Sequence, residues 1–285
     1  MTMELRHLRA FLAIAEEGTI TRAASRLHMS QPAVSRTLHQ LEAHLGVRLV
    51  DRSTHHLHLT DAGAAFRIRA ATALRAADAA FDPRRLGTWP LRLGHAWSAL
   101  GDLTAPLLRR WNETHPDTPL ELLRIDDRTA GLTRGAVDVA LVRGTFTAPG
   151  VRSVPLLSEP RVAAVPTSSD LAERPRLALA DLTDQAITLN TVSGTTTLDL
   201  WPAAVRPARV LEVGNTDDWL AAIAAGQAVG VTTAATATLH AYPGVVYRPL
   251  TDAPDVPVLL AWAEPPTHPA VTELADLARE VAREP

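Results

Sequence analysis

Two helical hydrophobic patterns joined by a tight turn, between Thr19 and Gly46, limit most strongly what this chain can fold into. Thr19 follows Gly18, a helix stop, and its side chain can accept a backbone N–H as the cap of a short helix. Ile20, Ala23, Ala24 and Leu27 make the buried face of that helix. After His28-Met29, Ser30 is a second cap and Pro32 falls in the first turn, where its missing N–H costs nothing. Val34, Leu38, Leu41 and Leu45 then point inward until Gly46 stops the helix. Upstream, Leu5, Leu8, Leu12 and Ala15 recur at helical spacing. Short helix, tight turn, longer helix is the arrangement of a helix-turn-helix.

The outer side of the longer helix is the informative one. At about 100° per residue, Gln31, Ser35 and His39 project together, flanked by Pro32 and Arg36. Gln and Arg offer bidentate donors to base edges in a major groove, and Ser reaches bases or phosphate. A solvated polar face is the ordinary alternative, but this first turn is polar without being densely charged. Next, "VRLVDRSTHHLHLT" (47–60) alternates on both sides of a polar tip and reads as a β-hairpin. Leu49, Leu57 and Leu59 would close over the helices, leaving Arg52, His55 and His56 at the tip, against phosphates or in a minor groove. Strand alternation separates His55 from His56 and no acid is close in sequence, so no metal site is expected there.

These residues together resemble the winged helix-turn-helix of LysR-type transcriptional regulators. The matching core is Phe11, Ala23-Ala24, Leu27, Ser30-Gln31-Pro32-Ala33-Val34-Ser35, Leu38, Leu41-Glu42, Leu45-Gly46, Leu49, Arg52, Leu59-Thr60 and Gly63. Val50-Asp51 departs from the family's usual Phe followed by Glu or Asp, and the wing is rich in His. The resemblance implies a DNA-binding domain over 1–60, touching double-stranded DNA through Thr21, Arg22, Ser30, Gln31, Pro32, Ser35, Arg36, His39, Arg52 and His55. Thr60 then caps a helix in which residues 61–80 include ten alanines. Small side chains allow close approach of a second helix, and the segment resembles the family's linker helix, which pairs two chains. Packing on its own domain is the alternative. Residues 61–89 are read as this linker and a hinge rich in Pro, Gly and Arg. The family implies a homodimer, or a homotetramer.

Composition agrees once it is divided. The formal charge of the 285 residues is -3, yet residues 1–82 hold ten Arg against eight acids and the remainder eighteen against twenty-three. Seven of the eleven His also fall in the first part. A basic head on an acidic body lets phosphate attraction act through the head. The absence of cysteine excludes disulfides, thiolate zinc sites and iron–sulfur clusters. With no long apolar run and no signal-like start, a soluble cytoplasmic chain is expected, with no membrane partner.

From Leu91 onward strands and helices alternate. "PLRLGHAWS", "LTAPLLRRWNETHP", "PLELLRI", "DDRTAGLTRGA" (a helix ending at Gly135) and "VDVALVRG" predict βαβαβ and an open, largely parallel sheet. The rhythm repeats through "RVAAVP", "AITLN", "ARVLEV", "TDDWLAAIAAG" and "AVGVTT", and closes with "PVLLAWAE" and a C-terminal helix. The body therefore reads as α/β. It resembles, more weakly, LysR-type effector domains, which are similar to type 2 periplasmic binding proteins. That implies an effector-binding domain over 90–285, with lobe one at 90–159 plus 258–285 and lobe two at 160–257.

Ligands in such folds sit beyond the C-terminal strand ends, where helix N–H groups favour anions. The candidates are Trp97 and Ser98, Arg143, Asn190 and Thr191, Ser193-Gly194-Thr195-Thr196, and Asn215-Thr216. The hydroxyl-rich 193–197 stretch suits a carboxylate or several hydroxyls, or is an ordinary turn; Arg143 is a counter-ion or a surface cation. Trp97, Trp201 and Trp219 wall a ligand or fill the core. No enzyme is expected: His39, Glu42 and His44 fit no zincin pattern, and neither a phosphate loop nor a nucleophile elbow occurs. A solute-binding protein is the remaining alternative, against the DNA-binding head. The expected function is a transcriptional regulator responding to a small-molecule effector, with no cofactor.

Overall fold

A computed structural model describes residues 3–51, 57–81 and 89–284. The wing tip with Arg52, His55 and His56, and the hinge 82–88, lie outside the described residues. The head consists of α1 (Leu5–Glu17), α2 (Ile20–Arg26) and α3 (Gln31–Leu45). Gly18 and Gly46 end α1 and α3 in the left-handed region, at φ 66° and 69°. Thr19 caps α2 by accepting the Arg22 N–H at 3.3 Å. Ser30 has the extended backbone of a cap, but its hydroxyl makes no capping bond. Pro32 has removed one of the donors it would meet. Phe11, Ile14, Ala23, Val34, Leu38, Leu41 and Leu49 form the head's core. Leu45, expected inside, is 38% exposed because it lies beyond the three-helix contact.

The hairpin pairs β1 (Val50–Asp51) with β2 (His58–Leu59), Val50 opposite Leu59. Its seat is Glu42, a buried carboxylate on α3 that accepts the Leu49 and Val50 N–H groups at 2.9 and 3.2 Å. The linker helix α4 (Asp61–Ala80) begins where Thr60 accepts the Gly63 N–H at 3.0 Å. Gly63 passes so near the hairpin that a Cβ there would lie 2.0 Å from the Leu49 carbonyl oxygen. Phe66 on α4 meets Phe11 edge to face at 5.1 Å, joining linker to head.

A second side of α4 rests on the chain's own body, the alternative left open above. Arg67 Nε donates to the Thr133 carbonyl at 2.6 Å, and Arg75 pairs with buried Asp138 at 3.2 Å. Ala62, Arg69, Ala73, Ala76 and Ala80 remain an exposed stripe at helical spacing.

Lobe one carries β3 (Leu91–His95), α5 (Thr104–Thr114), β4 (Leu120–Arg124), β5 (Val139–Arg143), β6 (Val151–Glu159), β12 (Val256–Ala263) and α8 (Val271–Arg283). Lobe two carries β7 (Arg161–Pro166), β8 (Ile187–Asn190), β9 (Val210–Val213), α6 (Thr216–Ala224), β10 (Gly230–Thr233), α7 (Ala234–Leu239) and β11 (Val245–Pro249). The first sheet runs β4-β3-β5-β12-β6; only β4, β3 and β5 are parallel. The largely parallel sheet expected from the alternation is therefore mixed. The chain leaves this lobe along β6 and returns along β12, paired Glu159 to Val256, and two such passes must run antiparallel. Lobe two likewise pairs β10 and β11 antiparallel to β7, with a parallel β8–β9 pair beside them.

The helix expected over "DDRTAGLTRGA" is a turn with one short 3₁₀ piece, Leu132–Arg134. Asp127 Oδ1 captures the N–H groups of Thr129 and Gly131 at 2.7 and 3.1 Å, offering the backbone an alternative to the helix. Ala130, Gly131 and Gly135 all take positive φ.

Candidate DNA-reading face and effector cleft

On α3, Gln31, Pro32, Arg36 and His39 are exposed and Ser35 is half-buried. Among the described residues, none of Gln31, Ser35, Arg36 and His39 has a side-chain partner. Four side chains of mixed polarity thus share one helix face without internal bonds to break before contacting DNA. Thr21 and Ser30 are exposed beside them. Arg22 is less free: it donates to the Glu17 carbonyl and sits 3.9 Å from the Glu17 carboxylate. Arg52 and His55 fall outside the described residues.

Between the lobes, Trp97, Gly194 and Thr195 divide the cleft into two compartments. The inner one, a small cavity of about 30 Å³, lies between Trp97 and Trp219 over Thr188, Thr216 and Thr232. The outer one, about 300 Å³, faces Asp127, Arg128, Phe146, Ser193 and Thr197. Trp219 donates to the Thr188 carbonyl at 3.0 Å and leans on Gly230, where a Cβ would lie 2.1 Å from its ring. Trp97 donates across the cleft to the Ser193 carbonyl at 3.3 Å. Trp201 belongs to lobe two's core and bonds to Leu179.

Several expected ligand residues are committed within the protein. Arg143 grips Glu159 bidentately at 3.0 and 2.8 Å, donates to the Trp97 carbonyl at 2.9 Å and stacks on that indole. Both side chains of the pair are buried, so Arg143, which lines the outer compartment, is neither a surface cation nor an unpaired one: Glu159 already neutralises it. Asn215 caps α6 by accepting the Asp218 N–H at 2.8 Å and does not line either compartment. Thr191 is exposed and also lies outside both linings. Asn190 accepts the Val192 and Ser193 N–H groups and donates to the Ser193 hydroxyl, bracing the loop. Gly194 is required there, since a Cβ would lie 2.3 Å from the Asn190 carbonyl oxygen. Thr195 retains a hydroxyl without a described partner. Buried Ser98 does too, held at φ 52° behind Trp97.

Arg161, to which the sequence reading assigned no role, reaches this loop from the first position of β7. Its guanidinium donates to the Thr196 hydroxyl at 3.1 Å, the Thr195 carbonyl at 3.3 Å and the Pro254 carbonyl at 3.0 Å. Burial lowers its pKa from the ordinary arginine value.

His95, at the end of β3, has its pKa lowered by burial, with Arg124 and Arg143 acting in the same direction. The fold disfavours its charged form, whereas in the unfolded chain it protonates near the ordinary pH of about 6.5. Below that pH the unfolded state binds more protons, so this contribution to stability is full above it and declines as the pH falls. Urea midpoints should drop as the pH falls below about 6.5, and drop less in His95→Gln. Parallel curves would remove His95 from the account.

The comparisons with known proteins bear on both regions. Residues 5–64 match the model of the bacterial regulatory helix-turn-helix protein, lysR family, and residues 87–283 match the LysR substrate binding domain. The chain belongs to the LysR family. This LysR-family chain is 37% identical to the transcriptional regulator CatR of Pseudomonas putida over 195 residues, 66% of this chain and 65% of that protein. The aligned stretch thus spans just under two thirds of that relative. With TdfR of Cupriavidus pinatubonensis it shares 30% identity over 97% of this chain and 98% of the relative. The crystal structure of CbnR, a LysR-family transcriptional regulator, superposes with a TM-score of 0.61 at 27% identity, covering 99% of this chain and 100% of that one. Among the described residues, no helix is long and apolar enough to cross a membrane.

Proposed function

We infer that this LysR-family chain is a transcriptional regulator that reads duplex DNA with α3 and alters that binding when a small effector enters the cleft. The observation that carries the reading is the pairing of an uncommitted polar face on a capped helix with a two-compartment cleft in one chain. CbnR, similar over its whole length, has been crystallised with its target DNA. Its likeness supports double-stranded DNA as the partner here. The exposed Ala73, Ala76 and Ala80 stripe suits pairing with a second α4, which would place two heads on half-sites a turn or more apart. The function is regulatory rather than enzymatic, as it is for the named relatives.

One experiment addresses the whole reading. Footprinting with the purified chain should give a protected operator whose affinity falls steeply with salt, and sedimentation of the complex should give at least two chains per site. Binding indifferent to sequence would sink the regulator assignment, and a 30.6 kDa monomer on DNA would sink the pairing.

A further inference from the structure

Resting on that regulatory reading, we propose that the turn 127–135 is a latch, held shut by the Asp127 carboxylate, that seats the linker helix α4 on lobe one of the same chain and so fixes where the head is carried. Asp127 lines the outer compartment at one end of the turn. Its Oδ1 accepts the Thr129 and Gly131 N–H groups and the Thr129 hydroxyl, and its Oδ2 takes Arg134 at 2.7 Å. The Thr129 hydroxyl meets that of Thr133 at 3.0 Å, and the Thr133 carbonyl receives Arg67 from α4. At the other end, Gly135 lies so close to α4 that a Cβ there would be 2.6 Å from both the Ile68 carbonyl oxygen and the Ala71 Cβ. Two contacts flank this seat. Gly150 lies against Ala65, and Arg75 pairs with Asp138, which directly precedes β5 and also accepts the Thr267 hydroxyl at 2.9 Å.

Three features give the latch an open state to move to. The segment has the sequence of a helix, and the Asp127 side chain captures the N–H groups that a helix would use. Ala130 is buried at φ 48°, a left-handed conformation that is costly for a residue with a Cβ. Arg67 is half-buried against a carbonyl, and among the described residues no carboxylate lies within ion-pair distance of it. Burial lowers its pKa, so its charge is better solvated away from the seat. The closed turn is thus a strained arrangement, and Asp127 is the group that stabilises it. Coupling between distant sites requires such an element, one with two arrangements that both sites can bias. Because Asp127 faces the outer compartment, anything bound there that competes for its carboxylate would free α4.

The chain contains no cysteine, so one engineered pair in the full chain gives a single disulfide. Ala65→Cys with Gly150→Cys places two Cβ atoms 3.2 Å apart in the closed latch, within a few tenths of an ångström of disulfide geometry. On mild oxidation the product should run as one 30.6 kDa chain in a denaturing gel. Adding Asp127→Ala should slow its formation about tenfold or more, the loss of closed population. On DNA, the reduced Asp127→Ala chain should protect a length differing from the parent's by about half a helical turn or more. Oxidising the pair in that variant should restore the parental footprint, a rescue that simple damage to the fold would not allow. Hydrogen exchange needs no cysteine pair: amides 65–75 of α4 should exchange about tenfold or more faster in Asp127→Ala than in the parent. A crosslink formed only between chains, equal exchange in parent and variant, or a footprint indifferent to oxidation would each overturn the inference. Intact operator binding with any of these results defeats the latch alone, whereas a parent chain that binds no operator defeats the regulatory reading.

Discussion

Replacing Arg143 by Met is expected to destabilise the body by about 3–5 kcal/mol, the cost of leaving one partner of a buried ion pair without the other. The side chains of Arg143 and Glu159 are 5% and 8% exposed, and the pair is closed by two parallel hydrogen bonds. The same guanidinium holds the Trp97 carbonyl, so its loss also frees the indole that divides the cleft. Two effects should therefore appear together: a lower urea midpoint and a weaker tryptophan response to ligands in either compartment. Adding Glu159→Leu removes the stranded carboxylate and should restore most of the stability without restoring the Trp97 contact. A double variant no more stable than Arg143→Met would show that Glu159 is not the reason for the loss. A stable single variant that bound anionic ligands less well would return Arg143 to the role of counter-ion.

The pair also marks where a sequence stops being readable. Arg143 ends β5 and Glu159 ends β6, and β12 lies between these strands in the sheet order. No local pattern couples two residues across a strand that the chain reaches about a hundred positions later. The same return pass explains the mixed sheet: hydrophobic runs locate strands but carry no direction. In the head the situation is reversed. Thr19, Gly18, Gly46 and the Val34-Leu38-Leu41 stripe act within a few residues, so caps, stops and core could be read before any tertiary contact. Glu42 lay inside the recognised pattern, yet its work on the Leu49 and Val50 N–H groups depends on a turn between them. Within the cleft, composition marked the hydroxyl-rich loop. It could not separate Thr195, left open, from Thr196, bonded on both sides, because Arg161 and Val231 arrive from other strands. Asp127 defeated the expected helix by a bond from its own side chain, a competition that helical periodicity does not register.

The face of α3 yields the second large effect. Gln31→Ala and Ser35→Ala should each cost about 1–3 kcal/mol of discrimination between operator and random duplex, the usual worth of one base-reading side chain. Both residues lie on the outside of a helix whose inner face, Val34, Leu38 and Leu41, is fully committed to the head's core, so truncating them leaves the fold intact. Arg36→Ala supplies the contrast. If its guanidinium meets phosphate rather than a base, affinity should fall for every sequence and the salt slope should flatten by about one phosphate contact. If it meets a guanine edge, specificity should fall instead. The measurement is competition binding of operator against random duplex across a salt series, with thermal unfolding as the control for the head. If two heads bind as a pair, each loss doubles per complex, because two copies of α3 would read the two half-sites. Variants at Gln31 and Ser35 that both kept the parent's operator preference would place base reading elsewhere, and the wing would become the segment to mutate next.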